Sequence, residues 1–232
     1  MLSEWAFSAP DRFIAAGIQG RHIRAEESVD SSGYWEGVYE RSSPMSSSWY
    51  QHEASRSLEL LAGLGVGPSS NIIDVGGGDS TLVDGVVARR MGRVTVLDLS
   101  PTALQRARTR LGSYSEGVSW MEGDVLRAHL PSHSYDVWHD RAVFHFLTDH
   151  EDRLRYVAAA TSALKPGGAV VIATFALEGP DRCSGLRVAR YDPQMLAREF
   201  GDAFSLTSAM RDVHRTPSGA EQQFTYAVLR LL

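Results

Sequence analysis

An α/β fold on a doubly wound, mostly parallel seven-stranded sheet with a C-terminal antiparallel hairpin is what this sequence predicts, from three observations. Strand-like and helix-like segments alternate from residue 71 to about residue 200, and such alternation implies right-handed crossovers and parallel strands. A glycine turn, Gly76-Gly-Gly78, joins the first strand to its helix. The alternation then breaks: segments around 204–213 and 222–231 follow each other with only Thr216-Pro-Ser-Gly219 between them. Two strands without a helix make a hairpin.

Residues 1–33 carry no steady period, and Ser28-Val-Asp-Ser-Ser-Gly33 reads as a linker, so this part is expected to be a mobile or loosely docked arm. Tyr34-Trp-Glu-Gly-Val-Tyr39, a serine-rich break over 42–48, and Trp49-Tyr-Gln51 form an aromatic block that needs a surface to cover. Ala54, Leu58, Leu61 and Ala62 space an amphipathic helix over 53–64, ended by Gly63, Gly65, Gly67 and Pro68. The division expected is therefore 1–52 as arm and aromatic block, and 53–232 as core.

The core opens with Ile72 to Val75, a short buried strand, and Thr81 to Arg90, a helix. Glycines belong between them because a side chain would hold a ligand off the backbone, and because the turn reaches angles that a Cβ disfavours. Such a unit predicts a small-molecule pocket at the carboxyl edge of the sheet. Arg93-Val-Thr-Val-Leu-Asp98 is the second strand; Ser100 caps, and Pro101 starts, a helix that runs through Thr102 to Leu111. Val118 to Met121 is the third strand and Tyr135 to Trp138 the fourth. Thr148-Asp-His-Glu151 matches a capping box opening a helix to Leu164, stopped by Lys165-Pro-Gly-Gly168. Ala169 to Phe175 is continuously apolar, as a strand covered on both faces should be. Asp192-Pro193 caps a last helix through Phe200.

The 232 residues suffice for one such domain with an appendage. No run of about 18 apolar residues could span a bilayer, so a soluble protein is expected. Twenty-three basic against 28 acidic residues leave a net charge of -5, and no global basic field draws the chain to nucleic acid or anionic lipid. Cys183 is the only cysteine, which excludes an internal disulfide and a multi-cysteine zinc site; no metal site is expected. The first residues lack the basic start and apolar stretch of a signal peptide, so the default home is cytoplasmic.

Five segments in register resemble the class I methyltransferases that use S-adenosylmethionine. Asp74-Val-Gly-Gly-Gly78 looks like the family's first motif, an acid followed by Gly-x-Gly. Asp98, 24 residues on, looks like the acid that binds the ribose hydroxyls, with Leu99 beside it. Gly123-Asp124-Val125 is similar to the adenine-contacting segment, Tyr135 to Leu147 to the motif beside the reaction centre, and Leu164-Lys-Pro-Gly-Gly168 closes the series. The resemblance implies a Rossmann-like methyltransferase fold, S-adenosylmethionine as cofactor and S-adenosylhomocysteine as product. A dinucleotide is the competing cofactor, but its fingerprint wants glycine where this chain has Thr81.

The resemblance implies cofactor contacts from Asp74, Gly76, Gly77, Gly78, Asp98, Leu99, Asp124, Val125 and His139. The aromatic block is similar to a segment of methyltransferases acting on lysines of elongation factors, which folds over the cofactor as a lid; Trp35 and Tyr39 are its candidate contacts, Trp35 by a cation–π contact with the sulfonium. Trp138 to Leu147 is instead similar to the motif of tellurite and thiol methyltransferases. A small-molecule acceptor, a protein lysine, and a catalytically silent cofactor-binding module therefore all stay open, with the first favoured.

His139, Asp140 and Arg141 follow the fourth strand, where they are either a salt-bridge set steadying the strand end or catalytic groups. Asp140, His145 and His139 are the candidate acid/base residues, needed only if the acceptor arrives protonated. His145 between Phe144 and Phe146, and His214 near the hairpin, read as packing or as acid/base groups. Asp74 is alternatively a turn cap and Asp124 an Asx turn. Cys183 reads as an ordinary accessible thiol in a loop that commonly lines the family's acceptor pocket, and Arg106, Arg108 and Arg110 as a solvated face.

Overall fold

The structure, a computed structural model, describes residues 31–232. The arm expected over residues 1–30 lies outside the described residues, while residues 31–33 belong to a helix and not to a linker. That helix, α1 (Ser31–Arg41), carries the first aromatics of the block and precedes a single 3₁₀ turn at Pro44–Ser46. The core follows as α2 (Ser55–Gly63), β1 (Asn71–Val75), α3 (Leu82–Ala88), β2 (Arg93–Asp98), α4 (Pro101–Leu111), β3 (Ser119–Glu122), β4 (Tyr135–Arg141), α5 (His150–Ala163) and β5 (Leu164–Phe175). A two-residue pair, β6 (Arg182–Cys183) and β7 (Leu186–Arg187), precedes α6 (Pro193–Phe200), β8 (Phe204–Arg215) and β9 (Glu221–Leu231).

Seven strands pair in the order β3-β2-β1-β4-β5-β9-β8, parallel from β3 to β5 and antiparallel at β9 and β8. The expected sheet and terminal hairpin are therefore present. Strand order reverses between β1 and β4, and a crevice opens at such a reversal because the crossovers on either side leave in opposite directions. One face of the sheet packs Leu58 and Leu61 of α2, Leu82, Val83 and Val86 of α3, and Leu104 of α4; the other packs Tyr156 and Ala160 of α5 and Leu196 and Phe200 of α6. Both faces being covered explains the unbroken burial of β5 from Gly168 onward.

Local chemistry explains most boundaries. Ser100 accepts from the Ala103 amide and Pro101 opens α4, and Asp192 likewise accepts from the Met195 amide ahead of Pro193. Four readings need correction. Asp149, not Thr148, caps α5, its carboxylate accepting from the Glu151 amide. Ala62 is exposed; the polar Ser57 takes the buried place beside Leu58 and Leu61. β5 begins at Leu164, its backbone pairing already at Tyr135 before a register shift. β4 runs to Arg141, so His139, Asp140 and Arg141 lie within the strand, held there by ladders to β1 and β5 on both sides.

Candidate functional site

A cavity of about 900 Å³ lies at the carboxyl ends of β1, β2 and β4, near the upper end of the ~300–1,000 Å³ usual for small-molecule sites. Gly76 of the glycine turn, the end of β2, Gly123 to Leu126, the turn after β4 and the β6–β7 pair line it, and Trp35, Tyr39 and Trp49 line it from α1 and the following loop.

Each glycine of the turn answers a different neighbour. At Gly76, φ +62°, a Cβ would sit 2.1 Å from the Val143 side chain, so the turn after β4 can pack against it only without one. At Gly77 a Cβ would lie 2.5 Å from Asp74 Oδ2. At Gly78, φ +47°, it would lie 2.4 Å from the Tyr39 hydroxyl and 3.1 Å from Asp98 Oδ2. The Tyr39 hydroxyl thus takes the place a side chain at residue 78 would fill, next to Asp98. The amides of Gly76 and Gly77 donate to the Leu97 carbonyl, and that of Gly78 to the Asp98 carboxylate. The turn therefore holds the end of β2 in place.

Asp98 is buried, with Oδ1 accepting from the Ser100 amide at 2.8 Å. Burial raises its pKa to about 7 against the amide bonds, with the carboxylates of Asp74 and Asp79 adding to the rise. Burial likewise pushes the Tyr39 hydroxyl far up, and the charge of Asp98 pushes it further. A carboxylate held this way takes hydroxyl donors readily, because they supply what desolvation removed.

Of the residues singled out in the sequence, Trp35, Tyr39, Gly76, Asp98, Leu99, Asp124 and Val125 line the cavity. Asp124 also makes the Asx turn, its carboxylate accepting from the Leu126 amide. Asp74, Gly77, Gly78 and His139 stand behind the wall. Asp74 and His139 are register partners on β1 and β4. Asp74 Oδ1 accepts from His139 Nδ1 at 2.7 Å, and His139 Nε2 meets the Ser57 hydroxyl at 2.8 Å. A carboxylate only accepts, so Nδ1 carries the proton there, while Nε2 shares a hydrogen bond with the Ser57 hydroxyl. The set is a buried brace between β1, β4 and α2.

None of the three candidate acid/base residues lines the cavity, and each has a structural occupation. Asp140 is fully buried, accepting from the amides of Val143 and Phe144 and from the Tyr156 hydroxyl. It ties down the sharp turn after β4, where Ala142 has φ +70°; burial raises its pKa to about 6 despite those bonds. His145 is fully buried against Phe146 and Phe175, and burial, helped by the nearby charge of Arg141, lowers its pKa to about 3. His139 belongs to the brace. His214 is buried too, Nε2 bonded to the Ser48 carbonyl and the ring against Phe224. Cys183 lines the cavity but is buried, not accessible, and burial pushes its thiol up to about 11.

Arg108 and Arg110 of α4 are exposed, as a solvated face requires, while Arg106 is half-buried, and all three also have partners. Arg106 donates to the Tyr39 carbonyl at 2.6 Å; Arg110 grips Asp84 and the carbonyls of Asp79 and Ser80; Arg108 lies over Trp120. Glu36 was missed as well: it accepts from Ser100 and from both the amide and hydroxyl of Thr102 at the amino end of α4. Tyr34 donates to the Ser184 carbonyl in the turn between β6 and β7.

A sheet of this order, with a glycine turn and an acid closing the second strand over a nucleoside-sized cavity, defines the Rossmann-like class I fold. The family model described as a methyltransferase domain matches residues 72–168, less than half of the chain. An uncharacterized methyltransferase of Mycobacterium tuberculosis is 31% identical over 104 residues, covering 45% of this chain and 50% of that protein. The chain thus matches about half the length of that curated relative. A protein solved in a study of disulfide-to-thioacetal conversion in echinomycin biosynthesis superposes with TM-score 0.71 at 18% identity, over 86% of this chain and 92% of the other. The 1,6-didemethyltoxoflavin-N1-methyltransferase of Burkholderia thailandensis, solved with bound 1,6-didemethyltoxoflavin and S-adenosylhomocysteine, gives TM-score 0.64 at 20% identity over 88% of this chain and 84% of the other.

Proposed function

We propose that this chain is a methyltransferase that binds S-adenosylmethionine and methylates a small molecule. The observation that carries the reading is the Asp98 carboxylate, buried at the end of β2 next to Gly78 and Tyr39 and lining the cavity. Asp98 would accept the ribose hydroxyls, Asp124 to Leu126 would border the base, and Trp35 and Tyr39 would cover the site. When bound, the cofactor supplies a methyl group already activated on a sulfonium, which leaves little bond-making chemistry for the protein.

What remains for the chain is to hold the acceptor in line and keep water out, work worth ~7–11 kcal/mol when the geometry is right. Residues 31–52 act as the lid, with Glu36 latched to α4 and Tyr34 latched to the β6–β7 turn. Those bonds hold Trp35 and Tyr39 against the cavity, which supports a small acceptor over a protein side chain. The absence of Asp140, His139 and His145 from the wall favours an acceptor that needs no strong base, or one that loses its proton to water after transfer.

Calorimetric titration with S-adenosylmethionine, S-adenosylhomocysteine and NAD, with Asp98→Ala alongside, is the test. Micromolar binding of the first two, weakened at least tenfold by the substitution, is the expected result; preference for NAD or no binding overturns it. Release of S-adenosylhomocysteine with any acceptor separates an enzyme from a silent binding module.

A further inference from the structure

We propose that the acceptor carries a carboxylate, held by Arg141, on an otherwise apolar body; this deepens the methyltransferase reading and rests on it for the use of the cavity. The chain as a whole is acidic, at -5, yet the acceptor side of the cavity is basic. Arg141, Arg182, Arg187 and Arg190 line it against Asp152 and Asp181. Among the described residues none of these four arginines is in an ion pair; arginines 41, 90, 93, 108, 198 and 230, away from the cavity, are unpaired too, but only the four gather on one cavity wall.

Arg141 is the centre of that imbalance. It is half-buried at the end of β4, Nε donating to the Tyr226 hydroxyl at 3.2 Å and Nη1 to the Trp49 carbonyl at 3.1 Å, with the guanidinium over the Phe224 ring. Three neighbours therefore fix the group, and none of them is charged. Its Nη2 is buried without a partner. A desolvated cation is costly unless a counter-charge meets it, and the planar guanidinium fork matches the two oxygens of a carboxylate. The neighbouring wall is apolar, with Phe146, Leu147, Leu186 and Val188, which sets the character of the rest of the molecule.

The test is calorimetry on the full chain, with and without S-adenosylhomocysteine, using phenylacetate and cyclohexanecarboxylate, each against its own amide, and phenyl phosphate as a third anion. Each acid is expected to bind at least about tenfold more tightly than its amide, the scale of one charge-assisted contact. Arg141→Gln should erase that preference and Arg141→Lys restore part of it. Arg187→Gln, at an exposed position, should weaken the acids a few-fold and keeps the test decisive if Arg141→Gln does not fold. Acids no better than amides, a preference that survives Arg141→Gln, or phenyl phosphate outbinding both acids overturns the proposal. If S-adenosylhomocysteine binds and the preference is missing, only the acceptor claim falls. If the preference appears and S-adenosylhomocysteine does not bind, the methyltransferase reading falls instead.

Discussion

Asp98 is poised between two protonation states, and that makes it a sensor of its ligand. Hydroxyl donors favour the ionised form, so binding of S-adenosylhomocysteine should release a proton near pH 6–7 and tighten as pH rises toward the group's pKa of about 7, then level off. Calorimetry in two buffers of different ionisation enthalpy reads the proton directly; a pH-independent affinity between 5.5 and 8 would contradict it. The brace behind the wall has a different consequence. Ser57→Ala removes the partner of a buried imidazole nitrogen and should cost about 1–3 kcal/mol in urea unfolding, with little effect on cofactor affinity if the brace only stiffens β1 and β4. Gly78→Ala should act the other way: its Cβ meets the Tyr39 hydroxyl next to Asp98 at a positive φ, so binding should drop at least tenfold. Asp98 and the glycines were legible because few residue types survive where backbone must come close or a carboxylate must sit at a strand end. Asp140, His139 and His145 misled for a related reason. Polar residues at the end of a buried strand are demanded both by catalysis and by sharp turns that need their amides capped, and only the partners distinguish the two.

At the scale of elements, α1 is bound to the core by polar latches as well as by Trp35 packed on Phe146. Glu36 sits at the amino end of α4, where unpaired amides and the helix dipole favour a negative charge; burial opposes its ionisation, but the bonds from Ser100 and Thr102 win and hold its carboxyl below the usual range. Glu36→Gln should loosen α1, speed release of S-adenosylhomocysteine several-fold in stopped-flow tryptophan fluorescence, and leave the melting temperature of the sheet domain nearly unchanged. Equal off-rates would show that α1 does not act as a lid. No period in residues 31–41 announced this helix, because its partners are single groups on α4, at Phe146 and at Ser184, far away in sequence. The core helices were readable where they carry their own caps, as at Ser100 and Asp192. The limits of β4 and β5 were not, since strand ends are set by the neighbouring ladder.

Across the whole molecule, the same burial that tunes Asp98 weighs on stability. Its pKa in the folded protein, about 7, is above the ordinary 3.8, so the folded state holds the proton longer and stability falls as pH rises from about 4 through about 7. Asp140 does the same up to about 6. Buried His145 works in opposition, its pKa lowered to about 3, adding stability as pH rises toward 6.5. Asp98→Asn should therefore make the ligand-free protein more stable than wild type at pH 8, by on the order of 2–4 kcal/mol, with the gain vanishing near pH 4. Urea midpoints at the two pH values check it, and a variant less stable at pH 8 would refute it. What the sequence determined by itself was the alternation of strands and helices, the terminal hairpin, the glycine turn and Asp98, because period, caps and close backbone approach are written in local residue types. What only the tertiary structure decided was the packing of α1 over the cavity, the work of Arg106, Arg110 and Glu36 as fastenings, and the retirement of the histidines into the core. Those outcomes depend on which side chains meet across tens of residues, and long-range contact leaves no spacing in the chain to read.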